Sequence, residues 1–204
     1  CRREGVDIIF HPQAKRMYEP GHGTYVDVEG LSALLCGRFR QGHFRGVATV
    51  VMKLFNIVRP DNSYFGQKDA QQAAIIRKMV EDLNVLVRIK VMPIVREGDG
   101  LAMSSRNAYL RPQSRKDAVV LHQALALAEN LIADGHRDSS YIAGKMKKLI
   151  GKKKAVKIQY VSIVDPKDLK PVHSIRERAL IALAVFIEKT RLIDNVIVDP
   201  KRYN

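Results

Sequence analysis

The stretch Phe65-Gly66-Gln67-Lys68-Asp69-Ala70-Gln71-Gln72 constrains this chain more than any other, because it joins a short apolar run to an amphipathic one. Ser63 to Phe65 reads as a strand, and Ala70 to Leu83 has the spacing of a helix. A glycine at such a junction lets a ligand approach the backbone, and the unpaired N–H groups that open a helix favour an anion. Lys68 adds a positive charge there, and Asp69 can accept from a sugar hydroxyl or cap the helix. Further on, Met103-Ser104-Ser105-Arg106-Asn107 follows a Gly98-Asp99-Gly100 turn and supplies hydroxyls and a guanidinium, donors suited to polyphosphate oxygens. Together the two segments describe a nucleotide site.

Taken singly, each residue has a plainer reading: Asp69 as an N-cap, Lys68 as a solvated lysine, Ser104 and Ser105 as turn residues. Only their joint occurrence favours a site. No Walker A pattern occurs, and Gly98-Asp99-Gly100 lacks the third glycine and the following helix of a dinucleotide fingerprint. His11 and His22 have no Cys, Asp or second His at metal-ligand spacing, so no protein metal site is expected.

Around this junction the elements alternate. Val6 to Phe10 is a continuous apolar run after Gly5, the pattern of a buried parallel strand. His11 to Gly23 is a Pro/Gly-rich loop, Thr24 to Val28 a short strand, and Leu31 to Leu35 a turn or two of helix ended by Gly37. Apolar residues recur at three and four from His43 to Val58, which predicts a helix stopped by Pro60. Val85 to Met92 closes a strand-helix-strand unit, hence a parallel sheet whose ligands bind at the carboxyl ends of its strands. Beyond a boundary near Glu97, a helix runs from Pro112 to Gly135 and a second, capped by Asp138 or Ser139, to Ile150. Val156 to Val164, Ala179 to Ile187 and Arg191 to Val198 read as strands. The chain is thus α/β, residues 1–94 forming one domain and 95–204 a smaller α+β domain that closes on it.

The formal net charge of +14 is the electrostatic footprint of a nucleic-acid binder. Much of it sits in Lys145 to Lys154, where Met146, Leu149 and Ile150 mark a buried helical stripe and the lysines its solvated face. No aromatic residues interleave with them as in single-strand binders, so nucleic acid is a minor alternative. Cys1 and Cys36 form no disulfide framework, which fits a reducing compartment. No apolar run reaches the roughly 18 residues of a membrane span.

Four blocks in order resemble the pantoate–β-alanine ligase family. They are Gly42 to Val51, Phe65-Gly66-x-Lys68-Asp69-x-Gln71-Gln72, Asp99 to Asn107, and Lys189 to Asn195. The resemblance implies a Rossmann-like nucleotidyl-transferase domain, followed by an α+β lid, in a cytoplasmic homodimer of the coenzyme A pathway. It implies ATP-dependent condensation of pantoate with β-alanine through a pantoyl adenylate, with Mg2+ on the phosphates. Carried over by residue, Lys68 contacts phosphate, Asp69 the ribose, and Gln72 and Arg40 pantoate. Gly66, Val95 and Met103 line the adenine and ribose pocket, and Ser104, Ser105 and Arg106 form a mobile phosphate-gripping loop. A related transferase that activates another carboxylate would use the same adenylate-gripping residues.

The family's His-x-Gly-His phosphate motif is not found here, and the opening Cys1 to Gly5 reads as the end of a helix. The expectation is a fragment that lacks the N-terminal part of its nucleotide domain and is inactive alone. Gln41 and Glu188 stand where the family has proline and glycine. If residue 188 needs a positive φ, glutamate there costs about 1 kcal/mol.

Overall fold

A computed structural model describes residues 1–202. The elements in order are α1 (Ala14–Met17), α2 (His43–Val58), β1 (Asn62–Gly66), α3 (Ala70–Asp82), β2 (Arg88–Met92), α4 (Pro112–Ala118), α5 (Val120–Ala133), α6 (Ser139–Ile150), β3 (Val156–Val164), β4 (Ala179–Ile187) and β5 (Thr190–Val198). β1 and β2 pair in parallel from Asn62↔Arg88 to Gly66↔Met92, with α3 as the crossover, so the mixed α/β class stands. β3, β4 and β5 form an antiparallel sheet with β4 at its centre.

β4 explains how the two sheets are joined. All but one of its residues are buried, as a continuous apolar run requires when both faces of a strand are covered. Ala179, Ile181, Leu183, Val185 and Ile187 enter a core with α5 and α6. Leu180 and Ala182, on the opposite face, enter a second core with Phe44, Ala48, Ile75, Ile76 and Met79 of α2 and α3. The side-chain period of two thus makes one strand serve both layers.

Two local distortions shape the sheet. Ile158 pairs with Val185 and Tyr160 with Ala184, leaving Gln159 as the extra residue of a bulge, a device that re-aims neighbouring side chains. The β4–β5 hairpin closes through the two residues Glu188 and Lys189, and such tight turns call for φ > 0 at their first position. Glu188 stands at φ 55°, so the conformation that favours glycine is required there. Ser114 and Arg111 hold its carboxylate, the latter from Nε at 2.8 Å.

Several sequence expectations need correction. Val6 to Phe10 forms no strand, and Ile8 and Ile9 are 83% and 63% exposed. A strand exists only through a neighbour to bond, and among the described residues the parallel sheet is limited to β1 and β2. Thr24 to Val28 is not a strand either; the Val26 N–H donates to Thr49 Oγ1 on α2 at 2.9 Å. The expected helix at Leu31 to Leu35 is a pair of 3-10 turns, Leu31–Ala33 and Leu35–Phe39. Gly37 lies within the second of these rather than ending it, and only glycine fits there, since a Cβ would stand 1.8 Å from the Ser32 carbonyl oxygen. The helix expected from Pro112 to Gly135 is interrupted at Val119, and the strand Val85 to Met92 begins only at Arg88.

Truncating β4 on its fully buried face tests the two-layer account. Leu183→Ala, at 0% exposure, should lower unfolding free energy by about 2–5 kcal/mol in a denaturant titration, whereas the same truncation at Leu86, 97% exposed, should stay within about 0.5 kcal/mol.

Candidate functional site

Where β1 ends, the chain makes one 3-10 turn, Gln67–Asp69, before entering α3. That turn lies at the carboxyl rim of the parallel strands. Asp69 holds the N-cap position, yet its side chain makes no capping bond; together with Lys68 it lines a cleft of about 210 Å³. Gln72, one turn into α3, lines the same cleft, while Gln71 does structural work. Gln71 is 6% exposed, accepts from the Cys36 N–H at 2.9 Å and donates to the carbonyls of Leu31 and Leu34 at 2.9 and 2.7 Å.

Arg40 and His43 reach the cleft from the start of α2, and Arg106 from the far side. Of the residues expected from sequence, Arg40, Lys68, Asp69, Gln72 and Arg106 therefore converge. Gly66, Val95, Met103, Ser104 and Ser105 do not line this cleft. Gly66 has ordinary extended backbone, φ −78° and ψ 135°, and a Cβ there would meet nothing within 4 Å. Val95 and Met103 face each other across a hairpin, with Met103 N–H donating to Val95 O at 2.9 Å, and both side chains are exposed. Ser104 Oγ accepts from the Arg106 N–H at 3.2 Å and caps the 3-10 turn Ser105–Tyr109, in keeping with its plainer reading as a turn residue.

Sequence reasoning missed Cys36 and Tyr160, and it gave no individual role to His43, Arg191 and Asn195, which stand in two of the blocks that carry the resemblance; all five line the cleft. Arg40 Nη1 lies 2.8 Å from His43 Nε2. Burial, reinforced by that guanidinium, holds the imidazole below its usual value, so it is neutral at pH 7 and accepts the bond. Burial first, then the like charges of Arg191 and Arg106, lowers the Arg40 pKa. Such crowding of cations relaxes when an anion arrives. Cys36 Sγ sits 3.1 Å from both Tyr160 Oη and Arg191 Nη2, and burial, then Cys36, pushes the phenol upward. The Gln159 bulge sets this group: the extra residue accepts from Arg191 Nε at 2.8 Å while Tyr160 next to it lines the cleft.

Two adjacent residues of β5 tie the hairpin to the cradle. Asp194, 2% exposed, receives both arms of Arg96 at 2.7 and 3.1 Å, and Arg96 also donates to Gly100 O at 2.9 Å. Gly100 must be glycine, since at φ 91° a Cβ would fall 2.0 Å from the His122 ring. Asn195, 3% exposed, donates to the carbonyls of Gln67 and Lys68 at 2.9 and 3.0 Å. Consecutive polar residues in an otherwise apolar strand were the available signal. Glu97 and Asp99, gripped by Arg115 at 2.6 to 3.0 Å, brace the hairpin and are held below the usual carboxylate range chiefly by that guanidinium.

Helix-flanked parallel strands with a basic cleft at their rim, covered by a second sheet, define a nucleotidyltransferase-fold protein. Pantothenate synthetase from Thermus thermophilus shares this fold at a TM-score of 0.92 and 41% identity, covering 96% of this chain and 71% of that one. A pantoate-β-alanine ligase from Francisella tularensis, solved with β-γ ATP and β-alanine, matches at a TM-score of 0.74 and 29% identity, with 98% and 68% covered. Pantothenate synthetase from Heliobacterium modesticaldum is 56% identical over 195 residues, which are 96% of this chain and 69% of the relative. The family model for pantoate-beta-alanine ligase matches residues 1–197, and the chain belongs to that family.

Asn195→Ala should remove two buried hydrogen bonds from the cradle backbone and cost about 1–3 kcal/mol in chemical unfolding. Asn195→Asp, which offers no donor to those carbonyls, should give no rescue.

Proposed function

We propose that this cleft binds ATP and pantoate and carries out the first half of the pantoate–β-alanine ligation, formation of a pantoyl adenylate. The observation that supports this most directly is that Lys68, Asp69, Gln72 and Arg106, from well-separated segments of a family member, line one cleft. A carboxylate oxygen of pantoate attacks the α-phosphorus, the bond from that phosphorus to the bridging oxygen breaks, and pyrophosphate leaves with the electron pair. The amine of β-alanine then attacks the acyl carbon, the acyl–oxygen bond breaks, AMP departs and the nitrogen releases a proton. The protein's task is to neutralise charge and align the reactants rather than to move protons.

Lys68 and Arg106 balance the phosphates, the uncapped Asp69 carboxylate takes the ribose hydroxyls, and Gln72 with Arg40 orients pantoate. Gly66, Val95, Met103, Ser104 and Ser105 belong to the nucleotide's outer contacts, reached when the hairpin closes over the cleft; on this reading residues 1–94 and 95–204 are its two jaws. Among the described residues no group of three or more His, Cys, Asp or Glu side chains can hold a metal. Mg2+ would arrive with the phosphates and need few protein ligands. From the family resemblance alone we further propose a cytoplasmic homodimer.

These 204 residues contain no His-x-Gly-His, and we propose that by themselves they bind ATP without turnover. Lys68→Ala should weaken ATP binding by about a hundredfold, or ~2.7 kcal/mol, in calorimetric titration. An unchanged affinity would remove Lys68 from the site. AMP release dependent on pantoate and β-alanine, or a pantoyl adenylate trapped on the chain, would overturn the inactivity of the isolated 204 residues, and the trapped adenylate would at the same time support the chemistry.

A further inference from the structure

Beyond the cleft lies a second, open cavity of about 680 Å³ to which neither the family resemblance nor the proposed ligation assigns a ligand. Arg106 and Arg191 line both spaces, so the two adjoin at these side chains. Arg111, Lys189 and Thr190 complete the charged and hydroxyl part of the lining, and Glu188 is its one carboxylate. Lys189 and Thr190 sit on the tight β4–β5 hairpin, a rigid mount.

Charge and shape limit what such a space can take. Four of its side chains are cationic, and the single anion is spent on one of them: Glu188 accepts from Arg111 Nε at 2.8 Å and pairs with Nη2 at 2.8 Å. Arg106, Lys189 and Arg191 are left facing the cavity with no carboxylate among its other lining residues. The one ring is Tyr109, 75% exposed, too open to form a stacking floor for a base. A small ion with several negative charges fits this lining better than a nucleoside or an apolar acid does.

We infer that this vestibule binds inorganic pyrophosphate as it leaves the cleft, with Lys189 holding it and Glu188 limiting how tightly. The inference rests on the reading of the cleft as the place where ATP is split, because a leaving group expelled past Arg106 would emerge here. Guanidinium and ammonium groups beyond the reacting phosphorus draw the leaving group away from it and disfavour recombination. The carboxylate at 188 works in the opposite sense. It cancels Arg111, so the ion meets three cations unmatched by a carboxylate of the lining instead of four and can depart. Glycine, which the family resemblance leads one to expect at 188, would leave Arg111 uncancelled.

Calorimetric titration of the 204-residue chain with sodium pyrophosphate in magnesium-free buffer tests this. Lys189→Gln should weaken binding about fivefold and Glu188→Gln should tighten it about threefold, the scale of one partly screened charge. Gln at 188 keeps the same backbone demand and can still bond Ser114, so folding is not in question; circular dichroism of each variant checks it. Orthophosphate should bind more weakly than pyrophosphate and respond less to either change. Failure of the wild-type chain to bind pyrophosphate overturns the inference. So do variant affinities within twofold of wild type, or heparin that responds to the two substitutions as pyrophosphate does, which would mark a general polyanion surface. The outcomes separate from those of the ligation itself. Pyrophosphate binding that follows residues 188 and 189 without any adenylate leaves the site standing alone, and adenylate formation without that response removes only the site.

Discussion

A buried carboxylate and a buried amide, side by side on β5, hold the working parts of this molecule in register. Asp194 takes the hairpin through Arg96, and Asn195 takes the cradle through the carbonyls of Gln67 and Lys68. The Asp194–Arg96 pair adds little net stability by itself, since a buried ion pair loses hydration in proportion to what it gains. The value of both residues is geometric. Lys68 and Arg106 come from segments far apart in sequence, and both are referred to one strand whose own position is fixed by two apolar cores.

The electrostatics of the cleft follow from that anchoring. Arg40, Arg106 and Arg191 are close enough for their charges to oppose one another, a state that costs energy until an anion enters. His43 stays neutral beside them, which spares the cleft a further cation, and Asp69 keeps a carboxylate free because the first turn of α3 does not use it as a cap. A surface arranged in this way is preorganised for phosphate and carboxylate together. The same charges continue through Arg106 and Arg191 into the neighbouring vestibule.

Long periodic segments were legible in the sequence. The three-and-four repeat from His43 to Val58 gave that helix its observed bounds, and the apolar runs of β3 and β4 gave theirs, because each pattern is satisfied by its own element. Val6 to Phe10 was misread because apolar content reports a wish for burial but not whether a neighbour is there to bond. The break at Val119 was invisible because its apolar periodicity continues across it. In the site, Lys68, Asp69, Gln72, Arg40 and Arg106 were legible through motif wording. Cys36 and Tyr160, 124 positions apart, were not, since their meeting depends on a single-residue bulge. Ser104 and Ser105 were read as site residues, and the cleft as it stands does not include them.

The alternation along β4 carries one last implication. Val164, Leu169, Leu180 and Ala182 belong to the core of the first ninety or so residues although they are encoded in the last fifty. A cut in the peptide near residue 94 would strip that core of one wall, so neither product should be expected to survive as an autonomous piece. Because both parts of the chain share that core, melting should be a single event.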